Sequence, residues 1–167
     1  MTFAQGEMQL FIVRHGHANW PHWEGRDDDR PLTPDGARIT RAEGEALARR
    51  GLKPDLILHS PLVRTRETAQ LIAEALGCLD RLQKSNLLQP GLNYQRLSKL
   101  LSEHAQLETL MLVGHAPDVA EVVGKLTGKV VQFKVGSIAQ VEIESPEDAP
   151  TGKLVWSATP ELLIEDC

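Results

Sequence analysis

Three short apolar runs, Met8–Val13, "DLILHS" (Asp55–Ser60) and "TLMLVGH" (Thr109–His115), each give way to a turn and then to a helical pattern. That repeat constrains the fold more than any other feature. Runs that stay apolar without alternation mark strands covered on both faces, as in a parallel sheet. Strands alternating with helices then imply an α/β chain, a three-layer sandwich with a mainly parallel central sheet flanked by helices.

The helices announce their own ends. In "LTPDG" Thr33 is placed as N-cap and Pro34 as first helical residue, and the helix runs to Arg50 before Gly51. Ala37, Gly44, Leu47 and Ala48 are expected on its buried face. Ser60-Pro61 repeats the signal, so Ser60 is expected to cap a helix that buries Ala69, Ile72, Ala73 and Leu76 and stops at Gly77. Residues 78–91 read as irregular and Leu92–His104 as helical. A further helix leads from Ala116-Pro117-Asp118 to about Leu126. Gly136–Glu144 and Lys153–Ala158 read as strands joined through "SPEDAPTG". No repeat or linker divides the chain, so 1–167 is expected to form a single domain.

Composition narrows the partners. A net charge of −5 argues against nucleic acid and anionic membrane, so any basic site must be local. Cys78 and Cys167 lie far apart and form neither a disulfide framework nor a zinc pattern. "MTFAQGEMQ" carries no Lys or Arg ahead of the short run Leu10–Val13, which is unlike a secretory leader or membrane span. The expected location is the cytoplasm.

The strand ends carry the chemistry. The first run ends in Arg14-His15-Gly16, the second in His59-Ser60 with Arg64 shortly after, and the third in Gly114-His115. Ligands of open parallel sheets bind outside the carboxyl ends of the strands, where strand order reverses. Arg14, His15, Arg64 and His115 are therefore expected in one pocket. Two guanidinium forks, two imidazoles and the N–H groups of helix starts suit a phosphoryl group.

"RHG" after the first strand, "PLTPDG", "SPLVRTRETA" and "LVGHAP" together resemble the histidine phosphatase superfamily, over roughly residues 8 to 140. The short chain looks most like its small phosphohistidine phosphatase (SixA-type) branch. The resemblance implies a phosphoglycerate mutase-like fold and no cofactor. It makes His15 a nucleophile that forms a phosphohistidine intermediate, with Arg14 and Arg64 clamping the phosphoryl oxygens and His115 as second imidazole. Substrate contacts are expected from Arg14, Gly16, His17, Arg64 and His115. The chemistry of the residues agrees: a nucleophilic imidazole must be neutral, and a protonated His115 would serve developing charge.

Other residues have plainer readings. Arg66, two positions from Arg64, points to another helix face. His59 and His104 look structural. His17 departs from the family pattern, which is more often acidic or amide-bearing there. His15-x-His17 also matches the paired histidines of metal-dependent barrel hydrolases. That barrel takes about 250 residues and no further ligand set follows, so no metal is expected. Asn19 does not match the spacing of a phosphate-binding asparagine. Trp20 and Trp23 either line the pocket mouth or pin a loop.

The general acid that an ester substrate calls for is missing from its expected region, because "LLQPGLNYQ" (Leu87–Gln95) holds no carboxylate. Glu24, Asp27, Asp28 and Asp29 read as a solvated loop and Asp118 as a helix-start residue. A phosphoramidate needs no strong acid, since its protonated imidazole leaves as a neutral molecule. The expected substrate is therefore phosphohistidine on a signalling protein. A small phosphorylated metabolite, or binding of phosphate without turnover, are the alternatives.

Overall fold

The computed structural model describes residues 7–165; residues 1–6 and Cys167, on which part of the leader and cysteine readings rest, lie outside them. In chain order the elements are β1 (Glu7–Arg14), α1 (Pro34–Arg49), β2 (Leu56–His59), α2 (Val63–Leu76), β3 (Leu82–Lys84), α3 (Tyr94–Glu103), β4 (Thr109–Gly114), α4 (Asp118–Thr127), β5 (Ile138–Glu144), β6 (Thr151–Ala158) and α5 (Pro160–Glu165). The six strands form one sheet in the order β3-β2-β4-β1-β5-β6. The first four strands run parallel, and β5 and β6 are antiparallel to their neighbours.

The apolar runs explain the layers. Successive strand residues face opposite ways, and β1 sends Met8, Leu10 and Ile12 into a core with Leu97, Leu101, Val119 and Val123 of α3 and α4. Phe11 and Val13 enter the opposite core with Leu47, Ile72 and Leu163 of α1, α2 and α5. Burying one such side chain contributes about 1.5–3 kcal/mol, so the central strands are held from both sides.

Several helix signals hold and some fail. Thr33 caps α1, its hydroxyl accepting from the Gly36 N–H at 3.0 Å, and α2 ends at Gly77 in the left-handed conformation (φ 70°). Ser60 does not cap α2. That helix starts later, at Val63, with Leu62 at the cap position and no side-chain cap. Ala48 is exposed, while Ala46 beside it is buried. Two elements escaped the sequence pattern. β3 is a three-residue edge strand with Gln83 and Lys84 exposed, and α5 is a single six-residue segment that inserts only Leu163 and Pro160. Neither is long enough to show a period.

α1 also buries a carboxyl group. Glu43 is fully buried, and neither oxygen has a hydrogen-bond partner among the described residues. Burial, reinforced by the charge of Glu161 on α5, pushes its pKa well above the usual carboxylate range. No described helix is long and apolar enough to cross a membrane.

Candidate active site

The ladder registers bring the strand ends together. Arg14 of β1 pairs with Gly114 of β4, so the next residues, His15 and His115, leave the sheet side by side. The His15 N–H continues the ladder to the Gly114 carbonyl at 3.1 Å, and the two imidazole centroids lie 5.5 Å apart, inclined at 62°. His59 of β2 pairs with Val113, which brings Ser60 beside His115. The Ser60 hydroxyl and His115 Nε2 are 2.8 Å apart, both residues being buried. Arg14, His15, Arg64 and His115 all line one cavity of about 320 Å³.

His15 is oriented by its own turn. Nδ1 lies 2.8 Å from the Gly16 carbonyl and must donate to it, since that oxygen can only accept. Nε2 therefore keeps its lone pair. Burial, with the charges of Arg64, Arg14 and Arg30 behind it, lowers the His15 pKa to about 4. The turn is held from three sides. The Gly136 N–H donates to the His15 carbonyl at 3.0 Å, and the Gly16 N–H donates to Thr68 Oγ1 at 3.0 Å. The Thr68 hydroxyl donates in turn to the Arg64 carbonyl at 2.8 Å, so one threonine ties the nucleophile's turn to the helix carrying Arg64. The third constraint is steric. A Cβ at position 16 would stand 2.5 Å from Thr40 Oγ1, so only glycine fits.

His115 is neutral before any substrate arrives. Burial first, then the positive charges of His15 and Arg64, lower its pKa to about 3, leaving a neutral ring in the free protein. A phosphoryl dianion entering the cavity opposes both charge effects and favours the protonated form. Buried polar nitrogens are also left without partners here. Arg14 Nε, Arg64 Nε and His115 Nδ1 have no partner among the described residues.

The arginines are positioned by backbone. Arg14 donates to the Phe133 carbonyl at 2.8 Å. Arg64 donates through one terminal nitrogen to the Asp27 carbonyl at 2.9 Å and through the other to Asp27 Oδ2 at 3.2 Å. Asp27 also accepts from Arg30 at 3.0 Å through Oδ1, and Arg30 donates to the Ala18 carbonyl. Sequence reasoning missed this triad by treating residues 24–29 as solvated. Arg30 is a third guanidinium on the cavity wall. Its signal was its place directly before "PLTPDG".

Other expected residues stand elsewhere. Gly16 and His17 are not among the residues lining the cavity. Gly16 is buried, with its N–H already taken by Thr68. His17 points toward the start of α1, where Nδ1 lies 3.1 Å from Thr33 Oγ1 and its carbonyl accepts from the Thr33 N–H at 2.9 Å. β1 ends before position 15, so the strand alternation that would put both rings on one face does not apply. No group of three metal-ligating side chains occurs among the described residues. Arg66 is exposed, and His59 is buried with Nδ1 at 2.8 Å from the Ser60 carbonyl. The Trp20 indole donates to the Pro31 carbonyl at 2.9 Å and so closes the base of the loop, while the Trp23 indole donates to the Arg26 carbonyl within it, also at 2.9 Å. Asn19 and Asp118, discounted from sequence, both line the cavity. Asp118 sits at the start of α4, three residues past His115, and Oδ2 accepts from the Gly91 N–H at 2.8 Å.

Residues 10–89 match the model of the histidine phosphatase superfamily (branch 1). An uncharacterized protein of Picosynechococcus sp. is 36% identical over 115 residues, 68% of this chain and 70% of that one. A protein named "Probable phosphoglycerate mutase GpmB" of Serratia proteamaculans is 38% identical over 74 residues, 42% of this chain and 33% of its own. The chain thus spans between 33% and 70% of the length of such curated relatives. Among solved structures, the protein histidine phosphatase SixA complexed with tungstate superposes with a TM-score of 0.83 at 25% identity, covering 93% of this chain and 99% of that one. The motifs at the ends of β1, β2 and β4, the sheet order that joins them and these similarities agree: the chain belongs to the histidine phosphatase superfamily.

Proposed function

We propose that this protein is a phosphatase that works without a metal ion, through a phosphohistidine intermediate on His15, and that its substrate is phosphohistidine on a signalling protein. The observation that carries the reading is the orientation of His15. Nδ1–H is held by the Gly16 carbonyl, and Nε2 is unprotonated in a cavity shared with Arg14, Arg64 and His115. Attack of that lone pair on phosphorus builds charge on the equatorial oxygens, and the two arginines lie beside them to stabilise it. His115, neutral when the cavity is free, takes up a proton as the dianion arrives. Water then hydrolyses the phospho-His15 bond.

The substrate follows from the carboxylates. Arg30 and Arg64 hold Asp27 below the usual carboxylate range, so it stays ionised and is a poor proton donor to an alkoxide. A P–N bond to a protonated imidazole does not need one. The similarity to SixA, described as a protein histidine phosphatase and solved with an oxyanion, supports the same substrate class. A second reading, hydrolysis of a small phosphate ester, is favoured by Asp118, a carboxylate lining the cavity.

Hydrolysis of a phosphohistidine peptide and a matched phosphoserine peptide, with His15→Ala as blank, separates the two. Faster release from phosphohistidine is expected. An equal or faster phosphoserine rate would establish the esterase, and peptide binding without release from either would leave a phosphate-binding module.

A further inference from the structure

Phosphoryl transfer from phosphohistidine to His15 moves the group between two like rings. The attacking ring has its distal nitrogen, Nδ1, protonated and held by the Gly16 carbonyl. As Nε2 forms its bond to phosphorus, the ring becomes a phosphoimidazole with that N–H still in place. The departing ring must do the reverse. The P–N electron pair returns to its proximal nitrogen, and it leaves as a neutral molecule only if its distal nitrogen carries a proton throughout. An in-line transfer puts the two rings on either side of phosphorus. A second acceptor, on the leaving side, would hold that distal N–H as Gly16 holds the first.

Among the residues lining the cavity, one offers an anionic acceptor of that kind. Asp118 is the carboxylate on its lining, and it comes from α4 rather than from the β1 turn. One oxygen is anchored by the Gly91 N–H at 2.8 Å, which fixes the side chain and leaves the other oxygen as acceptor. The remainder of the charged wall, Arg14, Arg30 and Arg64, is cationic and repels a cationic leaving group. We propose that Asp118 is a specificity-determining residue, whose carboxylate accepts the distal N–H of a protonated imidazole leaving group and so selects phosphoramidates over esters. This rests on the phosphatase reading above and deepens it. It differs from a general acid, because Asp118 keeps the leaving group's own proton in place and transfers none.

The test uses the full chain, the two small probes N-phosphoimidazole and p-nitrophenyl phosphate, and the phosphoserine peptide, each with the wild type and Asp118→Asn. The asparagine retains a carbonyl oxygen for the Gly91 N–H and removes the charge. A charge-assisted hydrogen bond lost in this way predicts that the ratio of kcat/KM values, phosphoimidazole over nitrophenyl phosphate, falls about ten- to a hundredfold in the variant. The alkaline limb of kcat for phosphoimidazole also moves to lower pH, because nothing then holds the distal proton on the bound ring. Equal losses on both probes mean a structural role and overturn the proposal, as does no loss on either. A larger loss on phosphoserine than on phosphoimidazole makes Asp118 a general acid and overturns it too. Failure of the wild type to cleave phosphoimidazole sinks it outright. Hydrolysis of the phosphohistidine peptide, measured separately, judges the substrate reading whichever way Asp118 falls.

Discussion

On His15, one ring nitrogen is tied down so that the other can react, and the burial of the ring should be measurable in solution. With its pKa lowered to about 4 by burial and three nearby arginines, the ring should stay neutral down to roughly that pH. NMR titration of labelled histidine should give His15 a midpoint near 4, and a midpoint near 6.5 would mean an exposed ring. The effect on folding has a definite sign. Between about 4 and the unfolded value of 6.5 the unfolded chain binds more protons than the folded one. The protein therefore loses stability as pH falls through that window and keeps it in full above. Arg64→Ala should lower kcat by about 10²–10³, the usual cost of removing one donor to developing charge, with the decrease read from a phosphatase assay. Arg14, His15, Arg64 and His115 were legible in the sequence because each stands at a strand end or helix start. Arg30, Asp27 and Asp118 were not. Two belong to a loop whose polarity looked like solvation, and the third had a sufficient local explanation as a helix-start residue. Ser60 was misassigned for the same reason, since its place before a proline suggested a cap while its hydroxyl serves His115.

Among the elements, α1 and α2 do more than cover the sheet. Thr68 on α2 accepts from the Gly16 N–H while donating to its own helix. Thr68→Val keeps the shape and leaves that buried N–H unpaired, at a cost of about 1–3 kcal/mol. Denaturant unfolding should show the loss, and turnover should fall with it because the His15 turn loses one of its ties. The unpartnered Glu43 on α1 makes the opposite prediction. The folded state keeps it protonated above pH 4.5, where the unfolded chain releases the proton, so stability falls as pH rises. Glu43→Gln should remove that dependence, and its advantage over the wild type in urea should widen between pH 5 and pH 8. A constant difference would place the carboxyl in contact with water. The long elements were readable from caps and periodicity, whereas β3 and α5 exist because neighbours hold them. Two or three side chains of contact leave no pattern in a sequence.

For the molecule as a whole, an oxyanion should act as a folding ligand. Tungstate or phosphate at a hundred times its dissociation constant should stabilise the protein by about 2.7 kcal/mol. The rise in Tm should survive a chelator and shrink in Arg14→Ala. A site built where β1, β2 and β4 end also inherits the ladder's cooperativity. The hydrogen bond that continues the sheet into His15 is the same one that sets the nucleophile beside His115. Partial melting of the reactive pair without the central strands is thus disfavoured. Amide exchange at Val13 to His15 and at Val113 and Gly114 should occur only by global opening, and heat inactivation should follow the unfolding curve. Among the described residues, the exposed loop at 21–29 has no such anchorage beyond Asp27 and the Trp20 bond at its base. Limited proteolysis should therefore cut there first, releasing Arg64 from Asp27 while the two histidines remain locked in register.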